Sequence, residues 1–370
     1  MSLFDVTFLQ TDGGLGRVLA GDDAISAIVY QGEPTALLQN GAVIFSSADA
    51  DNLNITSATA DTAPLRFAID RFFEQVSAPL YLAIVTQESD AAAALETIQN
   101  AADGAVRQVL YVGGTFSVAN VNTLQAAAAS QYALHRGLSV IYAPDSLGTF
   151  MLATLPTLVT GSAQYVSVVL GTDYLSSQSQ GGATLGTIAK SKVSDCIGWV
   201  RQYNVSGTFF DRLGFVGGED YKNVTMAQLK AIKDKGYIFL RKYTGFSGSF
   251  HSDSQTATLG SSDYATIENV RTMDKAQRLV RAALVPELGS PLRLKGGKLS
   301  EQTLAKFELL VTNPLTAMVD AQELSEFSVF INPAQNVLST STLEIQLGLT
   351  PLSVARQITV PIGFQVKASN

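Results

Sequence analysis

Residues 80–142 read LYLAIVTQESDAAAALETIQNAADGAVRQVLYVGGTFSVANVNTLQAAAASQYALHRGLSVIY. Three short apolar runs, 80–85, 108–112 and 138–142, have the length and composition of strands buried on both faces. Between them lie 91–102 and 118–136, Ala-rich stretches of helical length and propensity. Strand, helix, strand, helix, strand is the pattern of an α/β layer with a mostly parallel sheet, since each parallel neighbour needs a crossover connection.

The same alternation extends in both directions. Upstream, 27–30 and 42–45 read as strands. Residues 64–76 place Leu65, Ala68, Ile69, Phe72, Phe73 and Val76 at helical spacings. Downstream, 149–158 is expected to be helical and 165–170 a strand. Residues 176–182 are a polar loop and 183–199 a helix carrying Cys196 and Trp199. Residues 210–217 are strand and turn, 226–235 a helix and 237–243 a strand. Residues 244–262, rich in Gly, Ser, Thr and Asp, form a long loop or irregular hairpin.

The character changes after residue 262. A long helix is expected over 269–285 and a second over 300–321, interrupted at Asn313-Pro314. Strands follow at 326–331, 342–349 and 355–366, the last alternating Ile358, Val360, Ile362 and Phe364 with Pro361 inside it. Proline in a strand favours an edge position. The expected fold class is therefore α/β plus α+β: a mixed sheet flanked by helices, then a separate C-terminal unit. Phe4, Val6 and Phe8 alternate with polar residues before Gly13, Gly14 and Gly16, so a short N-terminal strand on a flexible joint can leave its own body. Pro351 is the matching joint at the other end.

The 370-residue, 39.2-kDa chain can bury one large core or two to three ordinary ones. It is 46% hydrophobic and only 15% charged, against roughly 25% charged on average, which excludes global disorder. A net charge of −7 without a dense Lys/Arg cluster speaks against nucleic-acid binding. The one cysteine, Cys196, is expected to be a buried thiol. The first ten residues carry no secretory signal pattern, and no apolar run is long enough for a membrane helix. Folding in a reducing cytoplasm and no membrane insertion are expected.

Sites of chemistry are scarce. Gly13–Gly16 and Gly181–Gly186 lack the lysine and hydroxyl of a phosphate loop and the spacing of a dinucleotide fingerprint. His135 follows a helix and is expected to meet its terminal carbonyls. His251, in a Ser/Gly loop, is expected to be solvated. There is no His-Glu-x-x-His and no Gly-x-Ser-x-Gly. Asp51, Asp61, Asp145 and Asp173 read as turn or cap residues. No catalytic, cofactor-binding or metal-binding residue is assigned.

The order of segments resembles the contractile tail sheath family of phages, bacteriocins and related injection particles. Four stretches carry the resemblance. Ala27-Ile28-Val29, the helix with Arg71-Phe72-Phe73 and the strand Tyr81-Leu82-Ala83-Ile84-Val85 look like the opening of a sheath body. Residues 181–199 look like its small-residue middle helix. Residues 232–245 followed by 264–284 look like its strand–loop–helix unit, with Ile267-Glu268-Asn269-Val270-Arg271 the most specific part. Residues 327–366 look like its C-terminal strands. The chain lacks large inserted surface domains and a recognisable tryptophan-glycine motif, as in a compact, divergent branch.

The resemblance implies a non-enzymatic structural subunit without cofactors, stacked as rings into a helical homopolymer around an inner tube. It further implies baseplate and tail terminator proteins as partners, and a place in a virion tail or injection particle assembled in the bacterial cytoplasm. It divides the chain into an N-terminal arm (1–20), an α/β body (21–262), a tube-facing C-terminal domain (263–350) and a C-terminal arm (351–370). The arms would add strands to neighbouring subunits through Phe4, Val6, Phe8, Ile358, Val360, Ile362 and Phe364, with Gly13, Gly14, Gly16 and Pro351 as hinges. Tube-facing candidates are Arg271, Lys275, Arg278, Arg281, Arg293, Lys295 and Lys298, a run of cations holding only Asp274 and Glu287 as acids. One alternative is an α/β enzyme with a β-rich appendage, which needs a polar pocket at the C-terminal ends of its parallel strands. Another is a different tail or baseplate structural protein that closes into a ring.

Overall fold

A computed structural model describes residues 22–205 and 212–364. The chain divides into two compact units, residues 1–279 and 280–370. In the first, seven strands form one sheet: β1 (Ser26–Gln31), β2 (Ala42–Ile44), β3 (Leu80–Val85), β4 (Gln108–Val112), β5 (Ser139–Ala143), β6 (Val166–Val169) and β7 (Tyr237–Ile238). Their spatial order is β7-β6-β5-β4-β1-β3-β2. Every pair is parallel except β2 on β3, where Val43 faces Tyr81.

The strands are apolar throughout because both faces are covered. On one face, Val29, Val109, Tyr111, Val140 and Val168 pack against helices α2 (Ala91–Ala101) and α3 (Val118–Ala133). On the other, Ile28, Leu82, Leu110 and Ile141 pack against α1 (Ala63–Gln75) and α4 (Gly181–Lys190). Alternate side chains of one strand thus feed two separate cores. The Leu110 and Tyr111 neighbours, both within 1% of full burial, show the alternation directly.

Helix α4 is buried from Gly181 to Ala189, and its glycines let it touch α1 backbone to backbone. A Cβ on Gly182 would lie 2.2 Å from the Ala68 carbonyl oxygen, and one on Gly186 would lie 2.8 Å from that of Phe72. Helix α5 (Met226–Asp234) covers the β7 end through Leu229 and Ile232. Helix α6 (Ile267–Leu284) begins in the first unit, anchored by buried Ile267, Glu268, Val270 and Arg271.

In the second unit, α7 (Glu301–Asp320) starts at Ser300, whose hydroxyl accepts from the Thr303 amide. Strands β8 (Glu326–Phe330) and β9 (Gln346–Thr350) form an antiparallel pair in which Ser328 faces Gly348.

Five expectations are corrected. Residues 149–158 form turns, because Pro156 disfavours the helical region for Leu155. The helix expected over 183–199 stops at Lys190, where Arg271 takes the Ser191 and Lys192 carbonyls. Helix α7 runs through Pro314 unbroken, its stripe Phe307, Val311, Leu315 and Met318 being buried on both sides of the proline. His251 is buried, because 250–251 returns as a strand against Leu240–Arg241. Residues 355–364 form no strand within their own chain.

Candidate functional site

The C-terminal segment is the most exposed apolar part of the described chain. Beyond β9, Leu352 and Val354 are half-buried. From there Ile358 (80% exposed), Val360 (74%), Ile362 (96%) and Phe364 (108%) bury almost nothing. Four large apolar side chains at alternate positions, all in solvent, cannot stabilise their own fold. The segment leaves from a fixed point: the Ser325 hydroxyl donates to the Pro351 carbonyl at 3.0 Å, and the Ser325 amide to Thr350 at 2.9 Å. The β8–β9 pair beside it is only two strands wide, with Phe330 57% and Leu347 38% exposed. The second unit also holds an apolar groove of about 610 Å³ lined by Leu284, Leu288, Leu292, Phe307 and Leu343.

The structure divides the seven cations into two groups. Arg271 is inside the fold, donating to the Ser191 hydroxyl at 2.8 Å and to the Lys192 and Ser191 carbonyls at 3.2 and 3.3 Å. It thereby supplies donors at the C-terminal end of α4, where carbonyls lack helical partners. Lys275 meets Asp23 at 2.7 Å and Arg278 pairs with the same carboxylate. Those two cations, with Arg271, oppose the effect of burial and hold the Asp23 carboxyl below its usual range. Asp274 lies beside Arg278, Arg107 and Tyr132, yet burial outweighs them and pushes it up to about 7. The other four, Arg281, Arg293, Lys295 and Lys298, are exposed in the second unit. Lys295 and Lys298 face each other across a hairpin closed by Gly296 and Gly297, both at positive φ.

Phe4, Val6, Phe8, Gly13, Gly14 and Gly16 lie outside the described residues.

The place where a ligand would enter a doubly wound sheet is the crevice between β1 and β4, where the strand order reverses. There Gln31 occupies the space. Its Oε1 accepts from the Tyr111 hydroxyl at 3.0 Å and lies 2.3 Å from where a Gly114 Cβ would stand. Gly113 and Gly114 adopt φ of +112° and +75°, the left-handed region open to glycine. Burial raises the neighbouring acids Glu88 to about 7 and Asp145 to about 6.

A polar network that sequence reasoning missed pins α6 to the body. The Ser254 hydroxyl donates to Glu268 Oε2 at 2.6 Å and lies 3.4 Å from Cys196 Sγ. Cys196 is buried and its thiol is pushed up, first by burial. His251 Nε2 is 3.1 Å from the Thr184 hydroxyl, and burial brings its pKa down to about 4. His135 sits one residue past the end cap of α3, at φ +60°, its amide donating to the Tyr132 carbonyl. Among the described residues, no helix is long and apolar enough to cross a membrane.

Two family models match the chain. The one described as DUF2586, N-terminal domain, covers residues 3–255, and the one described as DUF2586, C-terminal domain, covers residues 263–369. No curated protein matches in sequence. Among solved structures, the fold is shared with a chain of the anti-feeding prophage baseplate, 6-fold symmetrised. That likeness has 16% identity and a TM-score of 0.65, over 99% of this chain and 100% of the other. It is also shared with a chain of the PVC sheath complex in its contracted state, an extracellular contractile injection system. That likeness has 12% identity and a TM-score of 0.66, over 99% of both chains.

Proposed function

Because the chain belongs to the DUF2586 family along almost its whole length, we propose that it is a structural subunit of a contractile injection system, and within it the sheath subunit. The observation that carries this is the end-to-end likeness to a chain of a contracted sheath complex, with 99% of each chain superposed. Two properties of this chain agree with it. The β1–β4 crevice is filled by the chain's own Gln31, and among the described residues the largest exposed apolar series lies on the C-terminal segment.

In this reading residues 1–20 and 351–370 are the arms. Each lays a strand on a neighbour's sheet, where main-chain hydrogen bonds hold it and alternate side chains enter pockets. Such a contact between identical copies, repeated without closing, builds a helix. Arg281, Arg293, Lys295 and Lys298 face an acidic inner tube, a contact that salt weakens. Subunits then move as rigid bodies while the arms keep the mesh connected.

Negative-stain electron microscopy of the purified chain tests this. Striated hollow tubes are expected, and they should disappear when the first fifteen residues are removed, leaving monomer. Tubes that form equally well without those residues would overturn the arm assignment. A second reading is favoured by the equally extensive likeness to a baseplate chain: a closed ring, seen as uniform discs at every concentration.

A further inference from the structure

The two ends of the seven-stranded sheet carry opposite charge. Over residues 22–110, acids outnumber cations twelve to three, and over 212–242 cations outnumber acids seven to three. Topology puts these stretches in different parts of the sheet: residues 22–110 supply β4, β1, β3 and the edge strand β2, and residues 212–242 include the opposite edge strand β7. Six strand steps of roughly 4.8 Å set the two ends about 29 Å apart.

The β2 end has an apolar centre and an acidic rim. Phe45 (62% exposed) and Val43 (38%) stand in solvent on or beside β2. Around them are Asp49, which accepts from the Phe45 and Ser46 amides, and Asp51, both on the 3-10 turn Ser47–Leu53 that follows β2. Asp70 of α1 joins this turn by accepting from the Ser47 hydroxyl. Arg66, paired with Asp51 and Asp70, is the cation among them.

The β7 end is built the opposite way. A groove of about 280 Å³ has a floor of Leu213, Val224, Met226 and Leu229, and Lys222 and Lys242 line it. Met226 is 64% exposed. Lys230 and Lys235 lie on or just after the adjoining α5, with Asp234 paired to Lys230.

We infer that these ends are the two halves of one head-to-tail contact: the Phe45 knob with its acidic rim enters the lysine-rimmed groove of a second copy of this chain. An exposed aromatic entering an apolar groove is the usual energetic centre of an interface. Opposite charge around it sets orientation and rejects the two like-end pairings, acid on acid and lysine on lysine. A knob and groove on opposite ends of one sheet make a heterologous contact that propagates from copy to copy. The contact rests on the self-assembly reading only in taking a second copy as partner, and it is separate from strand exchange by the arms.

Sedimentation velocity of the full chain, run against sodium chloride concentration, tests it with three variants. Asp49→Lys/Asp51→Lys reverses the acidic rim, Lys222→Glu/Lys242→Glu reverses the basic rim, and the quadruple variant reverses both. Each rim reversal should weaken self-association about tenfold or more. The quadruple variant should recover it, and an equimolar mixture of the two rim variants should associate again in alternating order, because each variant's knob meets a groove of opposite charge on the other. Wild-type association should weaken as salt rises. A quadruple variant no better than its parents, rim variants that associate like wild type, or a wild type that stays monomeric would each overturn the contact. Tube formation reports separately on the sheath reading, since rim-dependent, salt-sensitive association without tubes leaves this contact standing and removes that one.

Discussion

His251 shows what burial does to a single residue. Its Nε2 meets Thr184 and its ring is enclosed between α4 and the 250–251 strand. Desolvation outweighs the opposing pull of the Ile197 backbone and lowers its pKa from 6.5 to about 4. The unfolded chain therefore takes up a proton near pH 6.5, while the folded chain resists until about pH 4. The stability that neutral His251 contributes is fully present above pH 6.5 and is lost as pH falls through that window. Wild type should lose stability between pH 6.5 and 4 more steeply than His251→Gln, by up to about 1.4 kcal/mol per pH unit. Denaturant titrations at stepped pH measure the difference, and parallel curves for the two proteins would refute it. Nothing in the Ser/Gly-rich sequence around His251 signals this, because the covering surface comes from residues about 70 positions upstream.

At the scale of elements, the packing of α4 on α1 depends on atoms that are missing. Gly182 and Gly186 stand where any side chain would strike the backbone of Ala68 or Phe72. Gly182→Ala should cost about 1–3 kcal/mol, as overpacking does when backbone must move. A chemical-denaturation midpoint unchanged by that substitution would show that α4 can shift. The small-residue composition of 181–190 was visible in the sequence, but the end of the helix was not. Arg271, about 80 residues away, takes the carbonyls of the two residues that follow it, Ser191 and Lys192. The sequence motif around Ile267–Arg271 thus reads structurally as an anchor for α6 and a cap for α4. Likewise, Asn313-Pro314 is expected to interrupt the helical stretch 300–321, yet the buried stripe from Phe307 to Met318 continues through it.

For the whole molecule, the C-terminal segment adds little to the fold of its own chain. Ile358, Val360, Ile362 and Phe364 are 74–108% exposed and contribute almost no burial to their own chain. Truncation after residue 354 should leave the melting temperature of the monomer within about 2 °C of wild type, since little apolar area returns to water. The same truncation should prevent tubes in electron microscopy. A large drop in melting temperature would show instead that the segment belongs to its own fold.

The sequence by itself determined the α/β body, its strands and most of its helices. Burial on both faces of a sheet writes continuous apolar runs into the chain, and helical crossovers write their own period. It also showed the alternation of Ile358, Val360, Ile362 and Phe364, though not that these residues form no strand within their own chain. Only the tertiary structure decided which cations are spent inside: Arg271, Lys275 and Arg278 meet Ser191 and Asp23, far away in the chain. It alone buried His251, filled the β1–β4 crevice with Gln31, and set β2 and β7 at opposite edges of one sheet. These outcomes rest on contacts between distant residues, and charge or polarity at one position does not reveal the surface that will cover it.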